Sequence, residues 1–299
     1  MKTLICPICK STKVKLFFKR YDSHKISTRQ FSLYKCDACD LVFLYPIPCW
    51  DLLSKYYYYY DKIEASQVRK RLPPIPLLRK IIEKIMNRGI VIIPGLKLLD
   101  VGCGDGSFLQ EMKKRGLETY GIEPDKIKCK LCEKKSLNVF CGFLEESHFE
   151  SNFFDIITFN HVFEHISNPR EILKKIRELL KDTGIVIIQV PRADAFLAKV
   201  FHKDCQLFAV PYHLFTYSFK ALSILLNEEG FKIIRLRNIP APFSFVESFS
   251  LKLYGKEGEI KGIKRSILDI IGLLFEFFAG IFGKTGIFEV WAMKQKSSN

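Results

Sequence analysis

No stretch of this sequence is long and apolar enough to cross a membrane as a helix. The longest candidate, 267–283, is interrupted by Asp269 and Glu276 and falls short of the ~20 residues that a span needs. The opening residues, "MKTLICPICK", contain no apolar run followed by a cleavage site, so no secretory signal is expected. Acidic residues are scarce beside basic ones, 32 against 47, and the formal charge is +15. That excess attracts anionic partners such as nucleic acid, lipid head groups or phosphorylated substrates, and it equally suits a lysine-rich soluble surface. Global disorder is excluded, because 48% of the residues are hydrophobic and the mean hydropathy is +0.05.

Cysteine, by contrast, is plentiful. Ten cysteines, several spaced as Cys-x-x-Cys, predict a reducing compartment, the cytoplasm, with thiolates on metal in place of disulfides. Cys6 and Cys9 in "CPIC" and Cys36 and Cys39 in "CDAC" bracket the β-leaning segments "VKLFF" and "FSLYKC". Two such pairs at hairpin tips enclose one Zn²⁺ tetrahedrally and give a small module, 1–48, the folding energy its own core lacks. With all four coordination positions taken, this zinc ribbon is structural. Cys129 and Cys132 make a third Cys-x-x-Cys, but the neighbouring periodicity is helical and no further pair lies nearby, so both are assigned to a helix face. Residues 49–93 are expected to be a helical linker. It holds five consecutive tyrosines, mostly packed or half-exposed, then Pro73, Pro74 and Pro76, then a basic amphipathic helix.

Residues 94–299 have the pattern of an α/β domain. "LKLLDVGCGDGSFLQEMKKRG" is a strand, a glycine turn and an amphipathic helix, and Gly102, Gly104 and Gly106 allow both a sharp turn and close approach of a ligand. The next strand, "ETYGIE", ends in Glu123, 21 residues after Gly102, where a carboxylate can accept hydrogen bonds from both hydroxyls of a ribose. "LNVFCG", "FFDIITF", a helix from Pro169 and "GIVIIQV" continue the alternation. Together they predict a doubly wound, mostly parallel, Rossmann-like sheet with ligands beyond the carboxyl ends of its strands. "FKIIRLR" and "IFEVWAMKQ" add an antiparallel pair at one edge. The turn runs Gly-x-Gly-x-Gly with Ser107 following, a departure from the dinucleotide fingerprint that argues against NAD.

"FNHVFEHIS", 159–167, contains His-x-x-Glu-His, a zinc-protease signature. Its context speaks against a protease. Asn168 as N-cap, Pro169 at the first helical position and Glu171 three residues after the cap begin a helix only beyond the motif. His161 to His165 therefore lie in the loop that leaves the fourth strand, and no third ligand is evident.

Several of these stretches together resemble the class I S-adenosylmethionine (SAM)-dependent methyltransferases. "LLDVGCGDGSFL" is similar to their first motif, "GIEPD" to their acidic second, and "FDIITFNHVFEHISNPREILKKIRELLKDTGIVIIQVP" to their fourth- and fifth-strand region. "YHLFTYSFKALSILLNEEGFKII" is similar to their post-sheet segment, and the resemblance covers about 95–237 and the last strand. It implies a seven-stranded methyltransferase sheet and SAM as methyl donor, with Asp100, Gly102, Gly104, Glu123 and Asn160 binding it and Phe143 beside its adenine. Asp100 would approach the methionine amino group. His161 and His213 are the candidate catalytic bases, since imidazole titrates near neutrality. Each also has a plainer reading, as a hydrogen-bonded histidine that shapes a loop.

The four-cysteine ribbon is similar to that of a subgroup including sugar C-methyltransferases, which carry a further large C-terminal domain. The sequence stops before such a domain, so the expectation is methyl transfer to oxygen more than to carbon, on a small-molecule, saccharide or lipid-linked acceptor. An RNA methyltransferase is the alternative enzyme, given the ribbon and the basic charge. However, the Asn/Asp-Pro-Pro-aromatic motif of exocyclic-amine methylation is replaced by "NHVF". A non-catalytic donor-binding scaffold is the alternative of another class. In the insertion at about 240–284, Asp269, Gly272, Glu276 and Gly280 fall on one helical stripe within an otherwise apolar helix, a pattern that suits a buried lid or a peripheral contact with membrane or lipid-linked substrate.

Overall fold

The structure, a computed structural model, describes residues 3–67 and 93–295. The proline cluster at Pro73, Pro74 and Pro76 and the basic helix expected after it lie outside the described residues. In chain order the elements begin with β1 (Val14–Tyr21), β2 (Gln30–Cys36), β3 (Val42–Leu44) and α1 (Trp50–Gln67). Then come β4 (Lys97–Val101), α2 (Ser107–Lys114), β5 (Glu118–Glu123), α3 (Lys126–Lys134), β6 (Asn138–Cys141), β7 (Phe154–Asn160), α4 (Pro169–Leu179) and β8 (Leu180–Pro191). The chain continues through α5 (Phe196–Phe201), β9 (Phe215–Thr216), α6 (Phe219–Glu228), β10 (Phe231–Ile239), α7 (Pro242–Tyr254), α8 (Gly262–Ile281) and β11 (Ile287–Lys294).

Seven strands form one sheet in the order β10, β11, β8, β7, β4, β5, β6. β4 pairs in parallel with β5 and β7, β5 with β6, and β7 with β8. A strand covered on both faces must be apolar almost throughout, and the central "KLLDV" and "FDIITFN" are buried along most of their length, whereas the edge strand β6 buries no residue. From β4 the chain steps outward to β5 and β6, then returns to β7 on the other side of β4. The reversal puts a topological switch point at the carboxyl ends of β4 and β7, where open α/β sheets take their ligands. α4 turns Ile172, Leu173, Ile176 and Leu179 inward, and each such burial contributes roughly 1.5–3 kcal/mol. Asn168 stands at its N-cap as expected but makes no capping side-chain hydrogen bond, so the helix start rests on the fixed φ of Pro169.

A second sheet runs β1, β2, β3, β9, with antiparallel pairing throughout. The chain divides into two compact units. One comprises 89–190, 223–237 and 289–299, and the other 1–88, 191–222 and 238–288. Sequence boundaries were expected after residues 48 and 93. The structure instead joins distant segments to the cysteine module, because β9 pairs Thr216 with Val42 and Phe215 with Phe43, and the Ser218 hydroxyl donates to the Cys39 carbonyl at 2.5 Å.

In the 240–284 insertion, α7 and α8 meet at Gly272, where a Cβ would come within 3.0 Å of Phe245 Cβ and of the Pro242 carbonyl oxygen. The polar stripe of α8 exists, with Ala279 as its last buried member: Asp269, Gly272, Glu276 and Ala279 face inward. The apolar remainder of the helix is not buried as a lid would be.

Candidate cofactor site and cysteine centre

At the end of β4 the chain turns on Gly102 (φ +72°) and Gly104 (φ +58°), in the left-handed region that disfavours other residues. The amides of Gly102 and Cys103 both donate to the Ile122 carbonyl, at 2.8 and 3.0 Å, which ties the turn to β5. A Cβ on Gly102 would lie 2.5 Å from Val162 Cγ2, whereas a Cβ on Gly104 would meet nothing within 4 Å. Gly104 thus opens onto space that a ligand can occupy.

Glu123, at the end of β5, is 5% exposed. Its Oε2 accepts from Gly104 N at 2.8 Å and its Oε1 from Asp125 N at 3.0 Å, so each oxygen has one of these backbone donors and capacity for a second bond. Burial pushes its carboxyl above the usual value, because desolvation disfavours the charge. Asp100, at the end of β4, is buried, and its Oδ1 accepts from Thr158 Oγ1 at 2.5 Å and from Asn160 Nδ2 at 3.2 Å. After β6, Gly142 N donates to the Glu123 carbonyl at 3.0 Å, and next in the chain comes Phe143, with a ring 39% exposed. The structure therefore gathers Asp100, Gly102, Gly104, Glu123, Asn160 and Phe143 along one carboxyl edge. These residues fit an adenosine-bearing ligand, with open space over a glycine backbone, a carboxylate able to accept more hydrogen bonds and an exposed aromatic ring.

His161 follows directly, with φ +52°, a strained conformation for a residue with a side chain and one that clusters at functional sites. Its amide donates to the Gln189 carbonyl at 3.0 Å, and its Nε2 lies 2.9 Å from Gln189 Nε2. Its Nδ1 lies 3.4 Å from Oε1 of the fully buried Glu164. A buried carboxylate therefore stands beside the imidazole, close enough to favour a proton or positive charge on it. Glu164 and Gln189 as neighbours of this ring were missed in the sequence, although the His-x-x-Glu spacing carried the signal for Glu164. The protease reading fails on the backbone: the motif spans the strand end and a single 3-10 turn, Phe163–His165, before α4 begins. His213 belongs to the other compact unit, where its Nδ1 donates to the Leu207 carbonyl at 2.8 Å and leaves Nε2 as the basic nitrogen.

The four N-terminal cysteines come together. Cys6 and Cys39 sulfurs are 3.7 Å apart, Cys9 and Cys36 sulfurs 3.6 Å, and all four lie within 4.8 Å of one another. Sulfurs at ~2.3 Å from a tetrahedral zinc are about 3.75 Å apart, so the set fits zinc. Both knuckles turn the same way: Lys10 N donates to the Cys6 carbonyl at 3.1 Å and Asp40 N to that of Cys36 at 2.8 Å, with Lys10 and Asp40 both at positive φ. The contact between Cys6 and Cys39 lowers the Cys6 thiol and raises that of Cys39, as expected of two sulfurs sharing one proton. Elsewhere, Cys129 and Cys132 are buried on α3 as expected, but Cys129 is not a thiol. It is disulfide-bonded to Cys141, with Cα atoms 5.9 Å apart, because α3 lies against β6.

A mostly parallel seven-stranded sheet, a glycine turn after its first parallel strand and an acid closing the next are those of a SAM-dependent methyltransferase. The chain belongs to the methyltransferase domain family, which matches residues 64–236. An uncharacterised protein of Methanocaldococcus jannaschii is 28% identical over 143 residues, 48% of this chain and 68% of that protein. The ubiquinone biosynthesis O-methyltransferase of Glaesserella parasuis is 29% identical over 126 residues, 38% of this chain and 53% of the relative, so the match spans about half the length of that enzyme. Among solved structures, Burkholderia thailandensis 1,6-didemethyltoxoflavin-N1-methyltransferase, with 1,6-didemethyltoxoflavin and S-adenosylhomocysteine bound, superposes with a TM-score of 0.51. It covers 92% of this chain and 100% of its own at 13% identity, a likeness of fold alone.

Proposed function

We propose that this protein transfers the methyl group of SAM to a hydroxyl of a small-molecule, saccharide or lipid-linked acceptor in the cytoplasm, with a structural zinc in its cysteine module. The observation that carries the reading is Glu123, a buried carboxylate beside the open face of Gly104 with acceptor capacity to spare. When bound, SAM supplies a methyl group on a sulfonium whose charge already activates the carbon for in-line displacement, so the protein's part is alignment and proton removal. Glu123 would accept from the ribose hydroxyls, Phe143 would lie against the adenine, and Asp100, held by Thr158 and Asn160, would receive the methionine ammonium. His161, with the buried Glu164 carboxylate beside its Nδ1, would take the proton from the acceptor hydroxyl. To reach that proton its Nε2 must exchange the Gln189 amide for the acceptor. His213 is the second candidate base. Cys6, Cys9, Cys36 and Cys39 would hold the zinc and contribute folding energy. The partial similarity to a ubiquinone O-methyltransferase favours oxygen as the methylated atom.

Incubating the protein with labelled methyl donor and fractionated cell extract tests the reading. Label in saccharide or lipid fractions is the expected result. Label in RNA would support the nucleic-acid alternative, and no turnover in any fraction would favour a donor-binding scaffold. With an acceptor in hand, His161→Gln should lower kcat by roughly 10²–10⁴ while leaving donor affinity unchanged, as loss of a general base does; an unaltered kcat would remove His161 from the reaction.

A further inference from the structure

Among the described residues, the outer face of α8 leaves a run of large apolar side chains in contact with solvent. At 100° per residue, Ile263, Ile267, Leu274, Phe277, Phe278 and Ile281 fall within an arc of about 100° on one side of the helix. All six are exposed, from 52% at Ile267 to 80% at Ile263. The two acidic residues of the helix are on the opposite side and buried: Asp269 is 6% exposed and Glu276 0%. Arg265 is drawn inward with them, 2.9 Å from Glu247. An exposed stripe of this size with its acids withdrawn marks an interaction surface.

We propose that α8 docks this protein in the plane of an anionic lipid surface, with the Ile/Leu/Phe stripe entering the acyl boundary and the lysines at its start meeting the head groups. Charge selects this occupant. Lys261 and Lys264 stand exposed at the start of the helix, and the outer face holds no negative charge. A second copy of the chain seated on the same face would bring like-charged lysines together. Lipid with anionic head groups offers both the apolar phase and the opposite charge. The helix lies in the interface and does not span it: its 20 residues reach ~30 Å, but no helix among the described residues is long and apolar enough to cross a membrane. The inference is independent of the acceptor and of the methyl-transfer reading.

Co-sedimentation of the full chain with vesicles tests it, using phosphatidylcholine alone and phosphatidylcholine with about one third phosphatidylglycerol. Wild type should sediment with the anionic vesicles and bind the neutral ones at least about tenfold more weakly. The double variant Phe277→Gln/Phe278→Gln should lose at least about tenfold in binding to anionic vesicles while its thermal midpoint and SAM affinity stay as in wild type. Lys261→Glu/Lys264→Glu, which leaves the apolar stripe intact, should abolish the preference for anionic vesicles. The proposal is overturned if wild type stays in the supernatant with anionic vesicles, or if the phenylalanine variant binds as wild type does. A wild-type dimer that the phenylalanine variant turns into a monomer would equally overturn it, by showing a second copy on this face.

Discussion

Helices α4 and α8 carry the same kind of pattern and wear it in opposite senses. α4 turns Ile172, Leu173, Ile176 and Leu179 toward its unit's core and leaves its lysines, arginines and glutamates outside. α8 turns Asp269, Gly272 and Glu276 inward and leaves its isoleucines and phenylalanines outside. Amphipathicity establishes that a helix has two faces but not which of them water touches. In α8 the question is decided by Gly272, the small residue that lets α7 approach, and by backbone amides that need a buried acceptor. Glu276 Oε2 accepts from Ala241 N at 3.1 Å and from Gly286 N at 2.8 Å.

The same contrast separates two buried glutamates. Glu123 spreads two backbone donors over two oxygens at an edge that opens to a ligand. Glu276 takes both of its donors on one oxygen inside the protein, and burial pushes its carboxyl upward. A buried, perturbed carboxylate is therefore a functional candidate only where space adjoins it.

The largest expected effect contrasts the cysteine centre with the strand-edge site. Cys36→Ser should remove zinc from the purified protein, measured by elemental analysis, and destabilise the unit that contains it by about 5 kcal/mol or more, since metal binding there is folding energy. Donor binding by the other unit should be affected far less. Next comes a matched pair of charges on the two helices. Ile176→Asp in α4 should cost about 4 kcal/mol or more in urea denaturation, the penalty for burying an unpaired charge, whereas Phe277→Asp in α8 should cost less than about 1 kcal/mol. Equal costs would mean that α8's apolar face is covered after all.

Glu276→Gln should cost about 1–3 kcal/mol through weakened acceptance of two buried amides, with no change in donor affinity. Its effect should depend on pH. Because the folded-state carboxyl titrates above its ordinary 4.5, the folded chain binds that proton more tightly than the unfolded one. The Glu276 contribution to stability is then full below pH 4.5, falls as pH rises through the folded pKa, and is constant beyond it. Glu123 and Asp269, also raised by burial, act in the same direction. Urea midpoints across this range should fall less steeply in Glu276→Gln than in wild type.

The sheet, the glycine turn, the position of Glu123 at the end of β5 and the gathering of the four cysteines were legible in the sequence because each depends on local spacing or on a strand's near-continuous apolarity, whereas Asn160 was singled out by the family resemblance alone. What escaped depends on contacts between distant segments. The outward turn of α8 follows from its packing at Gly272, and the Cys129–Cys141 bridge from the approach of α3 to β6. Likewise, β9 joining β3 draws 191–222 to the cysteine module, a pairing that a two-residue strand cannot announce. The contact of His161 Nε2 with the Gln189 side chain joins residues 28 apart.

Calorimetric titration of SAM into wild type and Glu123→Ala tests the central claim most directly. Wild type should bind one equivalent, and the variant, still folded by circular dichroism, should bind about 100-fold more weakly, the loss expected for two hydrogen bonds to a charged acceptor. Equal affinity in the two proteins, or no binding by wild type, would contradict the account.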